Sequence, residues 1–457
     1  MKVVFVTFGC RLNRAESLDL EARYRAAGHE IIDLGGPRSY VATNTGGPRC
    51  CAAENTGGPR CCAADIPDLI LVRGCSVTAK AQRDCEKAIA HLHTRFPTSE
   101  IRPLGCLPNA QAGSVPLENI PGAKTDRARS PSAPQSLLST AVAGRPPYHL
   151  SQPPSPSILP PVPMQTSRAY LKIQDGCNGK CAFCIVPHFR GAPVSVQFDE
   201  ITVRMKSYLA AGYREIILTG CNLSLYHSGN HNLASLLAAL AELGSVPQTG
   251  GPRCRATARI RIGSLEPGPL CEDILDVMAD RPNICRFLHL SLQSGSDHIL
   301  KRMNRPYEIM WAERFCTMAR ERLGPDLALG ADIITGFPGE TEEDFEATRA
   351  FLKRHAFSNL HVFPYSERPG TPAATMDGAL PRSVRLVRAR NLTALGRIQR
   401  AAFAQTFLGR EVEVCVERGG EHGWTDSYLP CKWKGPAERR SLVRKRVVAV
   451  NGDTLLA

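Results

Sequence analysis

Three closely spaced cysteines constrain this chain more than any other feature. Cys177, Cys181 and Cys184 form the pattern CxxxCxxC within the stretch QDGCNGKCAFCIVPHF. Three thiolates so close in sequence can bind three irons of a cubane 4Fe–4S cluster, and they leave the fourth iron open to a small molecule. Gly176 and Gly179 allow the loop to wrap tightly around such a cluster. The spacing therefore predicts an iron–sulfur site with an open coordination position.

Zinc is the alternative metal for this loop, with His188 as a fourth ligand. Zinc sites usually contain paired CxxC units, and no such pair of units is present here. The spacing therefore favours the iron–sulfur cluster over a zinc site.

Length, charge and cysteine content narrow the class of protein. A chain of 457 residues is long enough for about three domains. Its formal net charge of +13 favours a polyanionic partner, and RNA is favoured over a membrane. No apolar run reaches the roughly 18 residues of a membrane span, and the apolar start is too short for a signal peptide. We therefore expect a cytoplasmic protein whose 18 cysteines serve metal or redox chemistry.

The first part of the chain alternates strands with helices, which predicts a parallel α/β sheet. Apolar runs predict strands at Lys2–Thr7, Asp68–Val72 and Ile101–Leu104. One predicted helix is capped by Asn13, with Glu16 as its capping partner, and ends at Gly28. A second helix is predicted over Thr78–Phe96.

A cysteine follows each of these predicted strands, namely Cys10, Cys75 and Cys106. In a parallel sheet the carboxyl ends of the strands share one edge, where ligands usually bind. A single cysteine of this kind is more often a small buried apolar side chain. Three cysteines at one edge favour a second metal cluster.

Repeated Gly/Pro-rich units interrupt this pattern. TGGPRC occurs at Thr45–Cys50, Thr56–Cys61 and Thr249–Cys254, and we interpret residues 35–64 as an inserted low-complexity segment. The cysteines in these units are poor candidates for metal ligands, although a metal-binding CysCys loop is the alternative. They are Cys50, Cys51, Cys61, Cys62 and Cys254. We place an N-terminal domain at residues 1–124 and a Pro/Ser-rich linker at 125–167.

Residues 168–408 alternate strands and helices again, which predicts an open, partial (β/α)6 barrel. The predicted strands are Tyr170–Ile173, Glu215–Thr219, Arg259–Ile262, Phe287–Leu292, Gly330–Thr335 and Asn359–Pro364. The predicted helices between them are Asp199–Ala211, Leu233–Leu243, Pro269–Met278, Ile309–Arg322 and Glu342–Arg354. The polar motifs TGCN, GSLEP, SLQSGS and DIITGFPGE fall at the carboxyl ends of these strands, where barrel enzymes carry their chemistry. Any one of these residues alone could equally be a turn or cap residue.

The end of the chain is basic. Pro381–Gln405 has an arginine-rich helical pattern, and its arginines are equally consistent with a solvated face and with RNA contact. Residues 409–457 predict β-strands, because apolar and polar residues alternate in EVEVCVE and VRKRVVAV is an apolar and basic run. Trp424, Tyr428 and Trp433 would offer stacking faces to RNA bases. The basic residues of this segment are Lys432, Lys434, Arg439, Arg440, Arg444, Lys445 and Arg446.

These motifs, in this order, resemble those of the radical S-adenosylmethionine (SAM) methylthiotransferases. LKIQDGCN and FCIVPHFRG contain the first and last of the three cysteines, and FPYSERPGTPA, which begins within the last predicted strand, closes the barrel. The start, VTFGCRLN, is most similar to the enzymes that act on threonylcarbamoyladenosine in tRNA. Residues 409–457 resemble the TRAM domain, which implies a small β-barrel that binds RNA. Arg73 and Gly74 depart from the Asn and Thr that usually precede the family's second cysteine.

The resemblance implies two 4Fe–4S clusters and SAM as cofactors. It implies that Cys177, Cys181 and Cys184 hold the SAM-cleaving cluster, and that Cys10, Cys75 and Cys106 hold the second cluster. It also implies SAM contacts at Gly220, Ser264, Glu266 and Gln293.

The implied reaction places a methylthio group on carbon 2 of an adenine beside the anticodon. A radical made from SAM would take the hydrogen, and the second cluster would supply the sulfur. The implied partners are tRNA and an electron donor such as a flavodoxin or ferredoxin. No membrane partner is expected, and the oligomeric state is not predicted. Alternative substrates are isopentenyladenosine in tRNA and an aspartate of a ribosomal protein. The alternative from another class is a non-catalytic RNA-binding protein with a structural iron–sulfur site.

Overall fold

The computed structural model describes residues 1–32, 66–106, 167–246, 255–268 and 270–457. These residues form two compact units. The first contains residues 1–32 and 66–106 together with 188–191 and 368–370, and the second contains the other described residues. The inserted repeats lie outside the described residues, as does the predicted linker apart from residue 167. Within the described ranges, no helix is both long enough and apolar enough to cross a membrane.

The first unit is built on a four-stranded parallel sheet. Its elements are β1 (Lys2–Thr7), α1 (Arg11–Ala26), β2 (Glu30–Ile31), β3 (Leu69–Gly74), α2 (Ala79–Arg95) and β4 (Glu100–Gly105). The strand order is β2-β1-β3-β4, and every pairing is parallel. The predicted parallel α/β sheet is confirmed, and β2 is a short edge strand that the sequence analysis missed.

Apolar side chains explain why α2 lies against this sheet. Ile89 and Leu92 of α2 are buried in one cluster with Ile70 and Val72 of β3. Thr78 caps the helix, because its hydroxyl accepts a hydrogen bond from the backbone N–H of Ala81 at 3.1 Å. The cap fixes where α2 begins, close to the predicted boundary.

The predicted cap of α1 at Asn13 is wrong, because the helix already begins at Arg11. Asn13 is buried, and its amide donates to the carbonyl oxygens of Phe8 at 2.9 Å and Gly74 at 3.0 Å. Glu16, the expected capping partner, forms an ion pair with Arg73 at 2.8 Å. Asn13 therefore joins the ends of β1 and β3 instead of starting a helix.

The second unit begins with a series of parallel strands and helices. Its elements up to residue 405 are β5 (Ala169–Lys172), β6 (Gln174–Asp175), α3 (Val186–Arg190, which ends in the first unit), β7 (Val194–Ser195), α4 (Phe198–Ala210), β8 (Glu215–Thr219), β9 (His227–Ser228), β10 (His231–Asn232), α5 (Leu233–Leu243), β11 (Ser245–Val246), β12 (Arg255–Ala256), β13 (Arg259–Arg261), β14 (Ser264–Leu265), α6 (Leu270–Asp280), β15 (Phe287–Gln293), α7 (Asp297–Arg302), α8 (Ile309–Leu323), β16 (Ala328–Thr335), α9 (Glu342–Arg354), β17 (Asn359–Pro364) and α10 (Arg382–Gln405).

Six parallel strand positions follow one another in chain order. Strands β5, β8 and β13 form one sheet, and β14 to β17 form the next. β13 and β14 are two halves of one strand position, since β13 pairs with β8 and β14 pairs with β15. Gly263 lies at the break, where a Cβ would come within 2.7 Å of the carbonyl oxygen of Leu218. The predicted α/β barrel strands are all present, and glycine allows the third strand to divide between the two sheets.

Two helices match their predicted boundaries at both ends, and both begin with a capping box. In α5 the pair is Asn232 and Ser235, and in α9 it is Thr341 and Asp344. Each cap side chain accepts from a backbone N–H of the first turn, and the partner accepts from the cap residue's own N–H. The sequence analysis missed α7, the β6–β7 pair and the short β9–β10 and β11–β12 hairpins.

The arginine-rich helix α10 is held by ion pairs with its own unit. Arg388 is buried and binds Glu340 at 2.6 Å. Arg385 is buried as well, and it binds Glu367 at 2.6 Å. These two arginines therefore fit neither of the predicted alternatives, the solvated face or the RNA contact.

The last strands form one curled antiparallel-rich sheet. They are β18 (Glu411–Val416), β19 (His422–Thr425), β20 (Pro430–Lys432), β21 (Leu442–Arg446), β22 (Ala449–Asn451) and β23 (Thr454–Leu456). Their order is β21-β18-β19-β20-β23-β22. The two edge strands, β21 and β22, are joined by only Val447 and Val448, so the sheet curls until its edges come close together.

A buried charge cluster connects this curled sheet to the barrel strands. Glu215 of β8 is completely buried and binds Arg259 at 2.6 Å and Arg261 at 2.8 Å. The same guanidinium groups donate to backbone carbonyls of the curled sheet, at Trp424 for Arg259 and at Thr425 for Arg261. One carboxylate therefore orients two arginines that hold the C-terminal strands in place.

The three aromatic residues expected to stack on RNA bases pack against groups of the protein instead. Trp424 and Tyr428 stack on each other with ring centroids 4.9 Å apart, and Tyr428 also lies 4.9 Å from Phe287 of β15. The guanidinium of Arg261 lies 4.8 Å from the Tyr428 ring. Trp433 is buried in the core of the curled sheet. These side chains stabilise the second unit.

Candidate active site

The loop with the three closely spaced cysteines lies between β6 and α3. Gly176 starts it with φ +68°, a left-handed conformation that glycine adopts without strain. The backbone N–H of Gly179 points at the sulfur of Cys177, 3.2 Å away. Gly176 therefore turns the chain at the start of the loop, and Gly179 donates to a sulfur, a contact that the sequence analysis did not predict.

Burial keeps the thiols of Cys177 and Cys184 protonated in the absence of a cation. It raises the pKa of Cys184 to about 11, and the neighbouring Cys181 and Cys177 raise this pKa further while Arg305 opposes them. Burial also raises the pKa of Cys177. A bound metal would displace these protons and convert the thiols into ligands.

Cys177, Cys181 and Cys184 do not form a group with all three sulfurs within 4.8 Å of one another, as a single zinc ion would require. Among the described residues, the one group of metal-ligating side chains whose ligand atoms all lie within 4.8 Å of one another is a His–Asp–His cluster on β15 to β17. Tetrahedral zinc with bonds of about 2.3 Å would hold its sulfurs about 3.8 Å apart. A cubane spaces its thiolates more widely, because each binds a different iron. His188, the proposed fourth zinc ligand, belongs to the first compact unit.

Arg305 is a residue of this site that the sequence analysis missed. Its guanidinium donates to the sulfur of Cys181 at 2.9 Å and forms an ion pair with Glu266 at 2.8 Å. Asn222 donates to the other oxygen of Glu266 at 2.7 Å. Arg305 follows α7, a helix that was not predicted, so nothing in its position along the chain pointed to the loop.

The four predicted SAM contacts all lie at carboxyl ends of parallel strands or at the strand break. Gly220 directly follows β8, and a Cβ there would come within 2.9 Å of the carbonyl oxygen of Gln174. Ser264 opens β14 with an exposed side chain, and Glu266 follows that strand. Gln293 ends β15 with φ +69°, beside an irregularity in the strand register. A positive φ in a residue other than glycine costs energy and is frequent at functional sites.

The other three predicted cluster ligands meet at one edge of the first sheet. Cys10 precedes α1, Cys75 directly follows β3, and Cys106 directly follows β4. Burial raises the pKa of Cys75 to about 12, and charges on Cys10 and Cys106 would raise this pKa further. The thiols are therefore close enough to influence one another, as parallel strand ends at one edge require.

Two arginines and one glutamate surround this second cysteine group. Arg190 binds Glu16 at 2.7 Å and Asn13 at 2.8 Å, and it forms a hydrogen bond with the thiol of Cys106. Arg73, which departs from the family pattern, is bound to the same Glu16. The ion pair therefore accommodates Arg73 at this edge of the sheet.

The cysteines of the repeat units lie outside the described residues. They are Cys50, Cys51, Cys61, Cys62 and Cys254. Cys85 is a further cysteine of the first unit, buried in the core between α2 and the sheet.

Comparison with known proteins gives the family. The family model described as "Radical SAM superfamily" matches residues 171–352. Threonylcarbamoyladenosine tRNA methylthiotransferase MtaB of Bacillus subtilis (strain 168) is 30% identical over 95% of this chain and 90% of its own length. The tRNA-2-methylthio-N(6)-dimethylallyladenosine synthase of Mycolicibacterium paratuberculosis is 31% identical over 90% of this chain and 75% of its own length.

A solved structure supports the fold. The radical SAM methyltransferase TsrM from Kitasatospora setae, with cobalamin and a 4Fe-4S cluster bound, aligns with a TM-score of 0.51 and 15% identity. The alignment covers 81% of this chain and 74% of TsrM. With the two relatives above, which match nearly the whole chain, the family is established: this chain belongs to the radical SAM methylthiotransferases.

Proposed function

We propose that this methylthiotransferase modifies carbon 2 of N6-threonylcarbamoyladenosine beside the anticodon of tRNA. The observation that carries the proposal is the match to MtaB of Bacillus subtilis along 95% of the chain. The synthase for dimethylallyladenosine matches with a similar identity of 31%, so that nucleoside is the competing substrate.

The two cysteine groups are suited to hold the two clusters that the family uses. Cys177, Cys181 and Cys184 would bind the cluster that supplies an electron for SAM cleavage, and Cys10, Cys75 and Cys106 the one that supplies sulfur. A flavodoxin or ferredoxin is the proposed source of the electron. Hydrogen-bond donors around iron-bound thiolates tune the reduction potential of a cluster.

Residues of the second unit orient SAM beside Cys177, Cys181 and Cys184. Glu266 is held by Arg305 and Asn222, so its carboxylate has a fixed direction. Its remaining lone pairs can accept from an amino or hydroxyl group of SAM. The close approach at Gly220 leaves no room for a side chain, so the backbone there can come near the cofactor.

The proposed substrate is tested by nucleoside mass spectrometry of tRNA from cells with and without this gene. Deletion should remove the methylthio derivative of threonylcarbamoyladenosine, and the unmodified nucleoside should accumulate. Loss of the methylthio derivative of isopentenyladenosine instead would contradict the proposed substrate and leave the family unaffected.

Complementing the deletion with Cys10, Cys75 and Cys106 all changed to Ala should not restore the methylthio product. The purified variant should keep about half of the cluster iron and should still cleave SAM, because the other ligands come from one local loop. A variant that still makes the product would contradict the role of these cysteines as the sulfur site.

The curled sheet offers an exposed basic surface for tRNA at the end of β20. Lys432 ends β20 and Lys434 follows two residues later, and both side chains are exposed, whereas Trp433 between them is buried in the core of the sheet. The double variant Lys432→Gln with Lys434→Gln should bind tRNA more weakly at low salt. The slope of the logarithm of its binding constant against the logarithm of the salt concentration should be shallower than that of the wild type by about 1 to 2. Arg314→Gln with Lys353→Gln, an exposed pair on α8 and α9, is the matched control. Equal slopes for both double variants would contradict this tRNA surface.

A further inference from the structure

Three side chains on neighbouring strands of the second unit form a cluster that the methylthiotransferase assignment does not use. His289 lies on β15, Asp332 on β16 and His361 on β17. Asp332 is in register with His361, and His289 is in register with Gly330, two residues before Asp332. Residues in register and residues two apart on a strand share a face, so all three side chains project from the same face of the sheet.

The ligand atoms of this cluster are spaced as a small metal site requires. Nε2 of His289 lies 3.0 Å from Oδ1 of Asp332, and Nδ1 of His361 lies 3.2 Å from the same oxygen. All three ligand atoms lie within 4.8 Å of one another. A tetrahedral ion with bonds of about 2.0 to 2.1 Å places its ligand atoms about 3.3 to 3.4 Å apart. A small adjustment of the two rings would therefore bring the cluster to the geometry of a bound ion.

The backbone makes room for the buried histidine. A Cβ on Gly330 would come within 2.5 Å of Nδ1 of His289, so glycine is required beneath this ring. The His289 side chain is only 4% exposed, whereas that of His361 is 48% exposed. The cluster is therefore closed on the side of β15 and open on the side of β17.

We propose that His289, Asp332 and His361 bind a divalent transition-metal ion, separate from the iron–sulfur clusters. Two imidazoles and one carboxylate suit zinc or ferrous iron, and three protein ligands leave at least one position for an exchangeable ligand. Two neutral histidines and one carboxylate give the occupied site a net charge of +1. The open position takes water or an anionic oxygen ligand such as a carboxylate.

Zinc chloride is the probe, added to the full-length protein after both iron–sulfur clusters have been reconstituted. After removal of weakly bound metal with a chelating resin, mass spectrometry measures zinc and iron per chain. The wild type should retain about one zinc, and Asp332→Asn and His361→Ala should each lose it at unchanged iron content. Zinc should raise the Tm of the wild type but of neither variant, because an ion that binds only the folded state stabilises it.

His298→Ala is the matched control, because His298 pairs with Asp344 at 2.9 Å without a third ligand. It should retain zinc as the wild type does. The proposal is overturned if the wild type retains no zinc, or if Asp332→Asn and His361→Ala retain as much zinc as the wild type. In either case the cluster is a hydrogen-bonded triad in which Asp332 accepts from both rings. Both substitutions leave a side chain that fits the strand, and His361 is half-exposed, so folding is not at risk.

Discussion

Changing Cys177, Cys181 and Cys184 together to Ala should abolish SAM cleavage and remove the iron of one cluster. These cysteines lie on one loop whose backbone already donates to a sulfur, and Arg305 donates to another. Without thiolates the cubane has no ligands there, and the remaining contacts to SAM cannot supply an electron. Release of 5′-deoxyadenosine under reducing conditions, together with iron per chain, measures the effect.

The control for this triple variant is Cys316→Ala, which removes a buried cysteine from α8. It should keep the wild-type iron content and SAM cleavage. If the triple variant still released 5′-deoxyadenosine, the loop would not hold the cluster. If the wild type were colourless and contained only zinc, the zinc interpretation of the loop would be correct instead.

The fold could be predicted well where a local signal fixes each element. Apolar runs predicted the parallel strands of both units, and amphipathic stretches predicted two helices whose observed boundaries are fixed by capping boxes at Asn232 and Thr341. The short hairpins and the split between β13 and β14 were missed, because two-residue strands have no periodicity. The break depends on Gly263 meeting a carbonyl oxygen of another strand, which is a tertiary contact.

The candidate site was predictable in its cysteines and not in their surroundings. Spacing identified the local loop, and strand ends identified Cys10, Cys75 and Cys106, because both signals follow from chain geometry. Arg305 reaches Cys181 across 124 positions of sequence, and no pattern encodes such a contact. Trp424 and Tyr428 were misassigned for the same reason, since an aromatic residue on a basic segment looks identical whether it faces RNA or a neighbouring sheet.

Glu215→Gln should destabilise the second unit by about 3 to 5 kcal/mol, because removing one partner of a buried ion pair leaves the other charge uncompensated. Glu215 is fully buried between Arg259 and Arg261, which both donate to the curled sheet as well. Glutamine keeps the shape of the side chain and removes its charge. Chemical denaturation followed by tryptophan fluorescence measures this unit, because Trp311, Trp424 and Trp433 all lie in it.

The pH dependence of the destabilisation caused by Glu215→Gln separates an effect of charge from an effect of packing. Burial by itself would raise the pKa of Glu215, but Arg261, Arg259 and Arg168 hold this pKa far below its ordinary value. Because the folded-state pKa is lowered, the carboxylate stabilises the fold above the unfolded-state pKa of about 4.3, and this contribution declines as the pH falls below that value. The difference between wild type and Glu215→Gln should therefore be constant at neutral pH and should shrink in acid. Glu346→Gln, which removes an exposed ion pair with Arg349, should leave the free energy of unfolding nearly unchanged, because solvent screens an exposed pair. If both variants were equally stable, the cluster around Glu215 would not hold the C-terminal strands in place.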